Sequence, residues 1–326
     1  MIRYLMDLKQ LKTFLEVADL GSLSRAADRL HVAQPALGRQ IRMLEEELGG
    51  PLFSRHGRGM VLTETGSLLV ARATTILRMV EDTRDELTAS LGANGGTVSG
   101  AVSLGVSPTA GEVISGRLAE RFLRDYPQVA LRIVPTFSGY LSEMLQRGEI
   151  DLAVMYETSA VRHIPAEPLI QETLFLVGAA GSGLDLETPH DFASLAALPM
   201  VLPGPRHGLR ILLENAARQA GIALRVTVEA DALQTLKDLA ARGLAHTVLP
   251  LPAIHPELRA GALRAAPIVN PALNRKLVLA RSIVRPASRA VRVFADTLRA
   301  ETADMVRDGV WQGELLLVRP EQSGQR

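Results

Sequence analysis

The sequence predicts an α/β protein: a small all-α-type N-terminal domain, a long linker helix, and a larger C-terminal α/β domain of two subdomains. Three observations predict it. Short helical patterns with tight joins fill residues 7–66, a proline-free apolar stripe runs through about 65–92, and strand and helix patterns alternate from about 98 onward. A chain of 326 residues with 47% hydrophobic content is long enough for two or three domains with their own cores. It contains no cysteine, which removes disulfides, thiolate nucleophiles and zinc-thiolate sites together and suits a reducing compartment. The start, MIRYLMDLKQLKTF, lacks a signal-peptide core, and no window reaches the length of a membrane span, so a cytoplasmic protein without membrane contact is expected. The formal net charge of +1 carries no message, so any nucleic-acid signal must be local.

In the first region Leu8, Leu11, Phe14, Leu15 and Ala18 mark an amphipathic helix ending near Gly21. Ser22 caps a second helix, with Leu23, Ala26, Ala27 and Leu30 inward. A third opens at Gln34-Pro35, buries Leu37, Ile41, Leu44 and Leu48, and stops at Gly49-Gly50. Only His31, Val32 and Ala33 separate the second helix from the third, which is helix-turn-helix spacing. The run PLFSRHGRGMVL, Pro51 to Leu62, then reads as a β-ribbon with a basic, glycine-rich tip, in the manner of a wing. On the long helix Leu69, Ala73, Ile76, Val80, Thr83, Leu87 and Leu91 form a narrow stripe, expected to be a dimerisation seam rather than domain core. Gly92 to Thr97 reads as a hinge. Boundaries follow at residues 1–65, 66–95 and 96–326.

The third helix departs from good helical design. Ala33 stands where a hydroxyl or carboxylate side chain normally caps, and Gly38 interrupts the helix, each at a cost of roughly 1 kcal/mol. At 100° per residue, Pro35, Arg39 and Arg42 point away from the apolar face, flanked by Gln34 and Gly38. Any exposed helix carries a polar face; the neighbouring turn and ribbon point instead to a winged helix-turn-helix that presents this helix to a DNA major groove. Gln34 can make a bidentate contact with adenine, worth ~1–3 kcal/mol of discrimination, and Pro35 can pack on a thymine methyl. Arg39 and Arg42 can reach guanine or phosphate, and Arg55 and Arg58 phosphate or a narrow minor groove. Ser22 and Arg25 complete the candidate DNA-binding set, and Gly38 leaves a notch for the nucleic acid.

The run DLKQLKTFLEVADLGSLSRAADRLHVAQPALGRQIRMLEEELGGPLFSRHGRGMVLTETG, Asp7 to Gly66, resembles the DNA-binding domain of the LysR-type transcriptional regulators, with the pattern AA…L…QPA…RQI…LE…LG…LF.R…G..LT..G nearly intact. GRLAERFLRDYPQVALRI and LQRGEIDLAVMYE extend the resemblance into the effector-binding domain, to about Ala300. VLPGPRHGLR and EADALQTLKDLAARGLAHTVLP are similar to the branch of nitrogen-assimilation-control-like regulators. The resemblance implies a two-subdomain effector domain of the periplasmic-binding-protein-like type 2 fold and a homodimer through the linker helix. It further implies a homotetramer of such dimers, double-stranded operator DNA, a small-molecule effector and contact with RNA polymerase. Many members carry a hydroxyl residue at the places of Ala33 and Gly38, so a cap and a phosphate contact made there do not transfer. The family-like run begins at Met6-Asp7, which makes Met6 an alternative start to Met1.

For the C-terminal domain the pattern predicts subdomain 1 at about 97–164 and 271–302, subdomain 2 at about 165–270, and an appendage at 303–326 around the lone Trp311. The first subdomain begins as a βαβαβ run with a parallel sheet, and the chain is expected to cross between halves near Pro165 and Pro271. Ser107, Thr109, Thr136 and Ser138 stand at strand-to-helix junctions, where such sheets bind ligands and helix N-termini favour an anion. The resemblance places those junctions on a cleft wall, with Pro203, Arg206, His207, His246 and Thr247 opposite; Arg206 or His207 can neutralise a carboxylate. The hydroxyls can equally serve as helix caps. No P-loop, G-x-S-x-G elbow, H-E-x-x-H or G-x-G-x-x-G is present, and the histidines lack ligand spacing, so neither enzyme, cofactor nor metal is expected. Of the pair Glu229 and Asp231, the aspartate is expected to cap the next helix. The alternative to a regulator is a small-molecule-binding protein whose N-terminal domain serves assembly only.

Overall fold

The computed structural model describes residues 6–56, 59–90, 97–157, 164–284 and 287–316. The chain forms two compact units, one running to Gly100 with Arg147–Glu149, the other holding the remainder.

The first unit contains α1 (Leu8–Leu20), α2 (Leu23–Leu30), α3 (Gln34–Leu48), β1 (Phe53–His56), β2 (Gly59–Leu62) and α4 (Glu64–Ser90). Local chemistry sets the helix ends. Asp7 and Gln10 form a reciprocal capping box on α1, Ser22 caps α2, and Gly21 and Gly49 close α1 and α3 at φ 58° and 76°. Leu11, Phe14, Val17, Ala26, Ala27, Leu37, Ile41 and Leu44 pack with Leu52 and Phe53 into one core. Leu8 and Leu48, expected inward, are exposed because each occupies a terminal position of its helix.

Two contacts aim the ribbon. Glu45 of α3 accepts from the backbone N–H groups of Leu52 and Phe53 at 2.8 and 3.3 Å, and Met60 N–H donates to the Gly21 carbonyl at 3.0 Å. β1 and β2 pair antiparallel, as expected of a wing. The stripe on α4 divides. Leu69, Ala73 and Ile76 pack on the helical core, which corrects their assignment to a seam, whereas Val80 and Leu87 further along are exposed, as are Leu68 and Met79. Leu91 and the hinge glycines lie outside the described residues.

The second unit begins with β3 (Gly100–Val106), α5 (Pro108–Asp125), β4 (Val129–Pro135), α6 (Ser138–Arg147), β5 (Leu152–Tyr156) and β6 (Ala166–Thr173). It continues with β7 (Phe175–Ala179), β8 (His190–Asp191), β9 (Met200–Leu202), α7 (Gly208–Gln219), β10 (Val226–Glu229), α8 (Leu233–Ala241) and β11 (Thr247–Leu249). The last elements are α9 (His255–Arg259), β12 (Leu263–Val269), β13 (Asn274–Arg281), α10 (Arg289–Arg307) and β14 (Glu314–Leu315). The first lobe is a six-stranded sheet in the order β14-β6-β13-β5-β3-β4; the second holds β11-β7-β12-β8 and the parallel pair β10-β9.

Two expectations about this unit change. β3 and β5 are parallel, but β13 runs antiparallel between β5 and β6, so the first sheet is mixed. β6 follows Pro165 yet belongs to the first sheet, and the outward crossing lies at Leu174, not Pro165. There Leu174 N–H donates to the Leu273 carbonyl at 2.8 Å, so the outgoing and returning strands are tied side by side. Beyond α10 the chain turns back so that β14 pairs with β6 and Trp311 becomes 1% exposed.

Gly66 marks the tightest approach in the first unit, since a Cβ there meets the Leu52 carbonyl oxygen at 2.1 Å. Gly66→Ala is expected to lower the stability of this unit by at least about 2 kcal/mol, read as a fall in the midpoint of denaturant unfolding.

Candidate functional site

On α3 the N-cap Ala33 makes no side-chain cap bond, and Pro35 occupies the first turn. Gln34, Pro35, Arg39 and Arg42 are all exposed. A Cβ built on Gly38 meets nothing within 4 Å, so the protein's own packing does not require glycine there. Ser22 accepts from Arg25 N–H at 3.4 Å as the α2 cap, and the Arg25 guanidinium donates to the Leu20 carbonyl, which fixes this exposed side chain beside the turn. Arg55 lies on β1; Arg58 lies outside the described residues.

In the second unit, Ser107 precedes α5 without a side-chain cap bond, and its buried Oγ has no hydrogen-bond partner among the described residues. The reading of this hydroxyl as a mere cap therefore fails. Thr136 N–H donates to the Val106 carbonyl at 3.1 Å, and Ser138 Oγ accepts from Tyr156 N–H at 3.3 Å, so both junctions meet at one end of the sheet. From the other lobe, His207 sets its ring edge-on to Phe137, 4.9 Å between centroids. Val201 N–H donates to the His246 carbonyl at 2.8 Å, which places Thr247 beside the strand leading to Pro203. Thr247 Oγ1 and His246 Nδ1 are likewise buried without partners among the described residues. The two lobes are also joined by Lys237 of α8, which reaches Glu112 of α5 at 3.1 Å and Glu257 at 2.9 Å.

Two assigned roles change. Asp231 does not cap α8, whose N-cap Ala232 has no side-chain bond; it accepts from Gly204 N–H at 2.9 Å and so holds the loop before α7. His207 Nδ1 accepts from Leu209 N–H at 3.1 Å, leaving the proton on Nε2. Burial first, then the Arg275 charge, lowers its pKa to about 4 from an ordinary 6.5. His207 is therefore neutral near pH 7 and does not neutralise an anion by charge. Arg206 is exposed.

Arg275 of β13 is a buried positive charge in this region that sequence reasoning missed. Its guanidinium lies 3.7 Å from the Tyr156 ring centroid, and Nη2 donates to Tyr156 Oη and Glu172 Oε1, each at 2.9 Å. Tyr156 Oη donates to Glu172 Oε1 at 2.8 Å and is hydrogen-bonded to the Thr109 side chain. Burial pushes the Tyr156 hydroxyl well above its usual pKa, so it stays a donor. Trp311 Nε1 donates to Glu172 Oε2 at 3.2 Å. In the sequence Arg275 is one more charged residue; its burial depends on β13 lying between β5 and β6.

Residues 8–67 match the family model for the bacterial regulatory helix-turn-helix protein of the lysR family, and residues 95–303 match the LysR substrate binding domain. The chain belongs to the LysR family of transcriptional regulators. This regulator is 32% identical to the HTH-type transcriptional regulator BbuR of Bordetella bronchiseptica, over 96% of its own length and 95% of the relative's. It is 35% identical to the nitrogen assimilation regulatory protein nac of Klebsiella aerogenes, over 75% and 78%. Its fold is shared with a full-length OxyR variant from Pseudomonas aeruginosa at 24% identity, TM-score 0.70, covering 97% of this chain and 100% of that one. CbnR in complex with its target DNA gives a TM-score of 0.68 at 24% identity, covering 91% and 100%. Members of this family are regulators, not enzymes. No helix among the described residues is long and apolar enough to cross a membrane.

The His207 pKa gives this regulator a pH signature. Between pH 6.5 and about 4 the unfolded chain takes up a proton that the folded ring refuses. Stability from this group is complete above pH 6.5 and is lost as pH falls towards 4, by an amount of the order of 3 kcal/mol. A ring titration followed by NMR checks the value, and His207→Asn, which keeps a capping side chain, is expected to flatten the stability slope across that range. In α3, Ala33→Ser is expected to raise stability by up to ~1 kcal/mol and Gly38→Ala by about 0.5–1 kcal/mol. Gly38→Ala is expected to weaken DNA binding at the same time; thermal melts and mobility shifts check the two together.

Proposed function

We propose that this regulator binds an interrupted inverted-repeat operator as a dimer of dimers and alters DNA bending or polymerase contact when a small anionic effector fills the cleft of its second unit. The observation that carries the DNA reading is the exposed face Gln34, Pro35, Arg39 and Arg42 on an uncapped helix with an open notch at Gly38. Gln34 and Pro35 read bases, Arg39 and Arg42 base edges or phosphate, and Ser22, Arg25, Arg55 and Arg58 add backbone contacts. The exposed Val80 and Leu87 on α4 support pairing of linker helices between protomers. The solved complex of CbnR with its target DNA supports the same use of a shared fold.

The effector reading rests on the unspent hydroxyls of Ser107, which precedes α5, and Thr247, on β11 of the other lobe, and takes Thr109, Thr136, Ser138, Pro203, His207 and His246 as further contacts. Operation on chromosomal DNA places the protein in the cytoplasm.

Retention of the regulator's own upstream DNA is expected to fall steeply with salt. Arg55→Ala is expected to weaken all sequences alike and reduce the log–log salt slope by about 1, whereas Gln34→Ala relaxes base preference. Salt-independent or absent retention overturns the DNA reading in favour of a small-molecule-binding protein whose N-terminal domain serves assembly.

A further inference from the structure

Glu172 and Arg275 are 1% and 8% exposed, so two ions sit inside the first lobe. Removing a pair of ions from water is costly, and a purely structural pair recovers that cost only when its remaining donors and acceptors are satisfied. Here they are not: Arg275 Nη2 serves both Tyr156 and Glu172, yet the buried Nε–H has no partner among the described residues. A wasted buried donor is an unexpected feature beside so complete a network.

The residue that carries this donor neighbours groups of both lobes. Tyr156, on which Arg275 stacks, is bonded to Thr109, two residues beyond the unspent Ser107 hydroxyl, and the Arg275 charge is felt at His207 in the opposite lobe. Glu172, meanwhile, is held at both oxygens. Oε1 accepts from Tyr156 and Arg275, and Oε2 accepts from Trp311, a side chain of the segment that follows α10. Donors on a carboxylate draw off part of its charge, which leaves more of the guanidinium's charge for a second oxyanion.

We propose that Arg275 is the anion receptor of the cleft, taking a carboxylate or comparable oxyanion on its Nε–H, and that Trp311 is its positioning residue, acting through Glu172. The C-terminal segment is thereby part of the effector site. This rests on the reading of the cleft as the place where an anionic effector binds.

Trp311 is the lone tryptophan, so intrinsic emission of the full-length protein reports directly on this network. The probes are sodium sulfate, inorganic phosphate and succinate, each titrated against sodium chloride at equal ionic strength, with emission and melting temperature as readouts. At least one is expected to bind saturably; no saturable binding by any of them overturns the proposal. The double variant Glu172→Gln with Arg275→Gln removes both charges together and avoids stranding one, and is expected to weaken anion binding about 30-fold or more. Trp311→Phe, followed by melting temperature, is expected to weaken it about 3-fold to 10-fold.

A Trp311→Phe variant that melts lower but binds the anion as before makes Trp311 structural and overturns its positioning role. Ser107→Ala with Thr247→Ala separates the layers. Loss of binding there, with full binding in the Glu172/Arg275 double variant, leaves the cleft reading standing and removes Arg275 from it. Full binding in both puts the anion outside the cleft and removes both readings.

Discussion

A carboxylate sealed inside protein must be paired or bonded at every oxygen, and Glu172 is such a group. Its donors come from β5, β13 and the segment after α10, while Glu172 itself sits on β6. That single requirement ties together strands far apart in the chain and the backbone stretch that carries β14. With the returning strand inserted between β5 and β6, Arg275 reaches both Tyr156 and Glu172. The lone tryptophan is fully buried for the same reason, since its N–H has a fixed acceptor.

The two units use opposite strategies. The first keeps the polar face of α3 on the surface and leaves that helix locally weak, without a cap at Ala33 and with glycine in the interior. Firmness comes from elsewhere: the buried face of α3, the Glu45 carboxylate on the ribbon backbone, and the close seat of Gly66 under Leu52. The second unit buries its polar groups in and between lobes joined by two adjacent crossings, by the Lys237 ion pairs and by the Phe137–His207 contact. Those links include hydrogen bonds, charge and a ring contact, a type of joint that a ligand's binding energy can shift.

How much was legible follows from the range of each interaction. The three short helices, the ribbon and the strand–helix alternation rest on apolar spacing and on caps such as Ser22 and Gly49, which act within a few residues and are written in order along the chain. The exposed face of α3 is legible for the same reason, because a helix of known phase sends Arg39 and Arg42 away from Leu37 and Ile41. Junction hydroxyls such as Ser107 could be placed at strand ends, though not distinguished from caps until Oγ was seen to lack a bond.

Tertiary structure alone decided the rest. Periodicity marks Leu69 and Ile76 as apolar but cannot say whether a neighbouring helix or a second protomer covers them; here α1 and its core do. Arg275 and Glu172 look like ordinary charged positions in the sequence, and only the insertion of β13 makes them a buried pair. His207 looked like a possible cation, yet burial and the Arg275 charge keep it neutral. In each case the deciding groups are brought together from distant parts of the chain, and desolvation, which sets both pairing and protonation, does not exist until they meet.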